Sequence, residues 1–148
     1  MRVILPCGWP RPKGYANGVV VRGEMLFIAG MIGWDAQGRF ASDDFGAQAR
    51  QALQNVAEVL REAGGKPENI VRMTWYVTDK REYLAASREV GQAYREIIGA
   101  YNAAMTAVEV RALIEDRAKA EIEVTAVLPG KLILHTIRQH ITNISVAL

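Results

Sequence analysis

The stretch AEIEVTAVL, residues 120–128, carries an unbroken apolar row, Ala120, Ile122, Val124, Ala126 and Leu128, and the row between them is polar at Glu121, Glu123 and Thr125. Successive side chains of a strand point to opposite sides, so this run is a strand with one buried face and one polar face. Such a strand needs a cover of helices on one side and presents carboxylates on the other.

The run 104–113 just before it alternates too. Ala104, Thr106, Val108, Val110 and Ala112 form its more apolar row, and Met105, Ala107, Glu109 and Arg111 the other. Joined by the charged loop IEDRAK (114–119), the two runs read as a hairpin whose apolar rows both lie under the helices. In that register Arg111 faces Glu121 and Met105 faces Val127. NIVRMTWYVTD (69–79), rich in β-branched and aromatic residues, is a further strand. GVVVRGEMLFIAGMIG (18–33) reads as two strands about a tight Arg-Gly turn.

Helical spacing links Phe45, Ala49, Leu53, Val56, Leu60 and Ala63, with Ser42, Asp43 or Asp44 as a cap and Gly64-Gly65 as the stop. Asp79 and Glu82 form a capping-box pattern, and the helix after them carries Tyr83, Ser87, Val90, Tyr94 and Ile97 on one face and ends at Gly99. The order is β-β-α-β-α-β-β: an α+β domain with two helices on one face of a sheet. The domain spans residues 1–130. Residues 131–148 form a C-terminal extension in which Ile133, Ile137, Ile141 and Ile144 have helical spacing while the β-branched content favours a strand.

A net charge of +2 with no basic stripe argues against nucleic acid as a partner. No apolar run approaches eighteen residues, which argues against a membrane span, and the prolines in MRVILPCGWPRP argue against a signal peptide. The expected compartment is the cytoplasm. Cys7 stands alone, so no disulfide forms within the chain. His135 and His140 lie five apart with no nearby carboxylate, a poor metal pattern. No metal site is expected.

Five ordered pieces carry a resemblance: GYANGVVVRGEMLFIAGMIGWD (14–35), AQARQALQNVAEVLREAGG (47–65), NIVRMTWYVTD, MTAVEV (105–110) and AEIEVTAVLP (120–129). In order and spacing they resemble the Rid family, the YjgF-type imine and enamine deaminases. The resemblance implies a chorismate-mutase-like subunit, a homotrimer and small-molecule clefts between subunits. It also implies hydrolysis of 2-imino acids to 2-keto acids and ammonia, with no cofactor. The family's N-terminal tyrosine falls on Tyr15, and its Ser-Gly-Gln segment on Ala29, Gly30 and Met31. The carboxylate that holds the attacking water falls on Glu121, and Met105 and Ala107 belong to the strand that walls the cleft.

The departure is at Met105. Active deaminases of the family carry Arg there, whose fork of N–H donors holds the substrate carboxylate; a thioether offers no charge. The second helix reads as one turn longer than the family pattern, which leaves Ser87 or Gly91 in place of the family's Asn. The resulting expectation is an imine or enamine deaminase that does not rely on an anchored α-carboxylate, with Glu121 as the catalytic residue. Two other classes stay open: a non-catalytic small-molecule binder, and a chaperone-like trimer with the same cleft. In the hairpin register Met105 and Glu121 stand about 20 Å apart. A ligand touching both therefore needs two chains.

Overall fold

The computed structural model describes residues 1–130; residues 131–148, with His135, His140 and the expected extension, lie outside the described residues. Four strands form the main sheet: β3 (Glu24–Ile32), β4 (Ile70–Val77), β5 (Ala104–Glu109) and β6 (Ala120–Leu128), in the order β3-β6-β4-β5. β6 runs antiparallel to both its neighbours, and β5 runs parallel to β4 at the edge. The long helix α1 (Phe45–Glu62), the short α2 (Lys80–Ala85) and α3 (Ser87–Ile97) pack on one face.

The reading of 120–128 holds: Ala120, Ile122, Val124 and Ala126 are at most 1% exposed beneath the helices. The α1 reading holds as well, with Asp44 as the cap; its carboxylate accepts from Ala47 N–H at 2.8 Å. Asp79 caps α2 through the Arg81 and Glu82 N–H groups. The other half of that capping box is not made, because Glu82 turns its carboxylate to Lys119 Nζ at 2.8 Å. The single second helix expected from the spacing is divided at Ala86 into α2 and α3.

Three strand expectations are corrected. The two strands expected in 18–33 are present about Arg22-Gly23 but do not pair as a hairpin. Gly18–Val20 (β2) pairs with an N-terminal strand, Arg2–Ile4 (β1), that the alternation did not reveal. Gly23 sits at φ 151° so near the end of β6 that a Cβ there would lie 2.7 Å from the Leu128 carbonyl oxygen. The chain thus turns against β6 and feeds β3 alongside it.

Residues 104–113 and 118–128 are not a hairpin either, because β4 lies between them. The connection from β4 through α2 and α3 is a crossover, which delivers β5 parallel to β4. That register reverses the expected faces of β5. Met105 pairs with Met73 and Ala107 with Trp75, both buried under the helices, so Met105 and Ala107 share the helix side. The row with Thr106 and Val108 lies on the open side, where Val108 is 40% exposed. Both rows of this edge strand are rich in small or apolar residues, so pairing rather than composition decides which is covered.

One buried polar side chain ties the layers together. Gln48 of α1 is 1% exposed. Its amide donates to the carbonyls of Ser42 and Arg117 and accepts from Lys119 N–H, at 2.9–3.1 Å. It fixes α1 to the segment that enters β6. Gln48→Ala should lower the unfolding free energy by roughly 2 kcal/mol, since three part-buried backbone groups lose their partner. Urea unfolding at fixed protein concentration measures it.

Candidate functional site

The parity of the strands divides the candidate residues between the two sides of the sheet. On the helix side, a cavity of about 340 Å³ opens between β4, β5 and α2–α3. Its walls are largely aromatic: Tyr15, Trp75, Tyr83, Tyr94 and Tyr101, with Met105 at the strand wall. Ala107 lines it, as do both Ser87 and Gly91, the two positions that the second-helix pattern left open. Tyr94 and Tyr101 stack at 4.2 Å between ring centroids. The Tyr101 hydroxyl donates to the Gly91 carbonyl at 3.2 Å.

Two polar atoms of this wall are buried with no partner: Trp75 Nε1 and the Tyr94 hydroxyl. Burial, aided by the neighbouring Tyr101, pushes the Tyr94 pKa up to about 12, so its hydroxyl keeps its proton through the physiological range. Burial also raises the Tyr83 pKa. An unmade hydrogen bond on a buried donor is costly, and both atoms lie behind the cavity surface.

On the open side, a shallower cleft is lined by Gly30, Tyr76, Glu121 and Glu123, with the loop after β5. The β3–β6 register slips between Ile28 and Met31, a bulge that brings Gly30 against Glu121. A Cβ on Gly30 would lie 2.5 Å from Glu121 Cδ and 2.7 Å from Cγ. Only glycine leaves the carboxylate its place over the backbone. Lys119, a candidate partner for Glu121, is held instead by both carboxylate oxygens of Glu82. Among the described residues Glu121 has no ion pair. Tyr76 donates to Glu123 at 3.2 Å, and that bond is the first cause of its raised pKa.

The predicted residues thus fall into two groups. Tyr15, Met105 and Ala107 share the helix-side cavity, and Gly30 and Glu121 share the open cleft. Met31 lines neither; it pairs with Ile122 and packs at the margin of the core. Glu121 aligns with Tyr76, and Tyr76 with Val108, three residues beyond Met105. Two strand spacings and three residues place Met105 and Glu121 about 14 Å apart, on opposite faces. The separation expected from a hairpin is corrected, but one chain still does not bring both to one small ligand.

Sequence reasoning found the helix row Tyr83, Ser87, Val90 and Tyr94 but missed Lys13 and Tyr101, which also line the cavity. Both reach it from loops, where no periodicity marks a side chain's direction.

Residues 10–128 match the model of a family described as Endoribonuclease L-PSP. A 2-iminobutanoate/2-iminopropanoate deaminase of Salmonella typhimurium is 35% identical over 116 residues, covering 76% of this chain and 86% of that one. A Rid-family protein of unknown function from Yersinia pestis, YyfB, is 37% identical in its crystal structure. It superposes with a TM-score of 0.75 over 86% of this chain and 98% of its own. The crystal structure of Escherichia coli TdcF with bound serine is 30% identical, with a TM-score of 0.64 over 87% of this chain and all of that one.

The orphaned hydroxyl makes a prediction about stability. Tyr94→Phe should leave the unliganded protein as stable or raise its unfolding free energy by about 1 kcal/mol, because it removes a buried group without a partner. Urea unfolding of the two proteins side by side checks this; a clear loss of stability would mean that the hydroxyl has a partner.

Proposed function

The chain belongs to the Rid (YjgF) family, and on that footing we propose that it hydrolyses a reactive imine or enamine metabolite to a carbonyl compound and ammonia. Glu121 is the catalytic carboxylate. It takes a proton from a water molecule as the water oxygen attacks the carbon of the C=N bond. The adduct then holds oxygen and nitrogen on one carbon. Return of that proton to nitrogen gives the neutral carbinolamine; the carboxylate then carries the hydroxyl proton to the nitrogen, the C–N bond breaks as C=O forms, and ammonia leaves. The observation that carries this reading is the Gly30–Glu121 contact: a carboxylate held against glycine backbone in an open cleft, with no ion pair among the described residues.

The proposal includes a homotrimer whose clefts lie between subunits. Supporting it, the open face of the sheet carries Met25 at 56% and Phe27 at 72% exposure beside its polar row. Uncovered apolar side chains on a sheet face suit a subunit contact. The open cleft of one chain would then meet the helix-side cavity of its neighbour, and a ligand would touch Glu121 from one and Tyr15 and Met105 from the other. The helix-side wall binds, the carboxylate reacts, and no cofactor takes part. A second reading, a binder without turnover, is favoured by one feature alone: Met105 supplies no charge on β5.

Glu121→Gln should lower kcat by about 100-fold or more. Gly30→Ala should do nearly the same with little loss of stability, because the clash falls on a flexible side chain, and the double variant should be no worse than either. Carbonyl release from imines generated in situ by an amino-acid oxidase is the assay. Tight ligand binding without turnover would give the second reading. Light scattering should report three chains per particle, and a monomer would overturn the shared cleft.

A further inference from the structure

We propose that the helix-side cavity selects a small organic anion with an aromatic or similarly bulky apolar body, and that Lys13 is the residue that holds its charge. This rests on the proposed role of the cavity as the substrate side of a shared site.

Three observations combine. First, among the described residues Lys13 is the one charged side chain lining the cavity, and no carboxylate lines it. Among the described residues Lys13 enters no ion pair. The next three residues of the chain fix its place. Gly14, at φ +83°, passes over the Tyr101 ring, where a Cβ would touch at 3.9 Å. Ala16 N–H donates to the Ala103 carbonyl at 2.8 Å, just before β5. The loop that carries Lys13 and Tyr15 is therefore tied to the start of the strand that carries Met105.

Second, the two unpartnered polar atoms of the wall both donate. Trp75 Nε1 has no acceptor capacity, and the Tyr94 hydroxyl keeps its proton. Neither sets a negative charge against an anion in the cavity. Third, the remaining wall is aromatic or apolar, and the volume of about 340 Å³ exceeds what a two- or three-carbon body fills. A single positive charge among the described residues and a wide apolar chamber together specify an anion with a bulky body. An aromatic chamber also suits an ammonium group, but the one charge that the described residues place there has the same sign.

Met105 then has a role by its shape. Arginine on β5 would put the charge at the cavity wall and shorten the body it accepts. A thioether lengthens the apolar chamber and leaves the charge to the loop.

Isothermal titration of the full chain with four probes tests this: 3-phenylpropanoate, propanoate, 3-phenylpropanamide and 2-phenylethylamine. The first should bind about tenfold or more tightly than the other three, a gap of the size one charge-assisted contact supplies. Lys13→Met should bring it to the level of the amide and leave the amide unchanged, while Lys13→Arg should retain it. Equal binding of acid and amide, equal binding of propanoate, tighter binding of the amine or indifference to Lys13→Met would each overturn the proposal. Assaying imine hydrolysis by the unaltered protein and by Glu121→Gln beside the titration separates the two claims. Selective binding without turnover refutes only the deaminase reading, and Glu121-dependent turnover without this selectivity refutes only the anion site.

Discussion

The structure depends on a sheet covered on one face only. β6 lies between β3 and β4, so its alternation is imposed on both neighbours. With Ala120, Ile122 and Val124 pressed under α1, Glu121 and Glu123 have no choice but to face the other way. Slipping the register by one residue would bury two carboxylates and expose the core row. That penalty fixes the register, and through it every other placement: Trp75 inward and Tyr76 outward on β4, Met105 inward and Val108 outward on β5. Gly33 lets the cover come close. A Cβ there would lie 2.6 Å from Gln48 Cβ, so a side chain would push α1 off the end of β3.

Each half of the candidate site departs from ideal packing in its own way. The open cleft uses a bulge and a glycine, which weaken β3 locally but seat a carboxylate over bare backbone. The helix-side cavity leaves Trp75 Nε1 and the Tyr94 hydroxyl without partners inside an otherwise well-packed core. Both features cost stability in the isolated chain. Groups kept at such a cost are the ones a ligand or a second subunit is best placed to satisfy.

Where one element meets a strong local rule, the sequence reveals it. The alternation of 120–128, the α1 periodicity with its Asp44 cap, and Asp79 at the head of α2 are such cases. β5 shows where that fails. Its two rows differ by little in hydrophobicity, and its partner is reached through a crossover of two helices, so neither its face nor its neighbour is encoded locally. β1 is three residues long and gains its identity only by pairing with β2. For the site, the family resemblance picked Gly30 and Glu121, which do meet, and Tyr15, Met105 and Ala107, which share a cavity. It did not show that the two groups stand on opposite faces, since that depends on the strand pairing. Lys13 was invisible because an exposed lysine in a loop has no pattern until the fold brings Tyr101 beneath that loop.

The central claim is that one reaction uses the two faces of different chains. Subunit mixing tests it most directly. Glu121→Gln removes the carboxylate, and Ala107→Trp fills the helix-side cavity; each parent should be inactive in imine hydrolysis while the unaltered protein is active. Unfolded and refolded together in equal amounts, the two should regain about a quarter of the unaltered activity, the share of clefts in a random trimer that receive an intact residue from each neighbour. A mixture as inactive as its parents would contradict the account, because a site within one chain cannot be repaired by another.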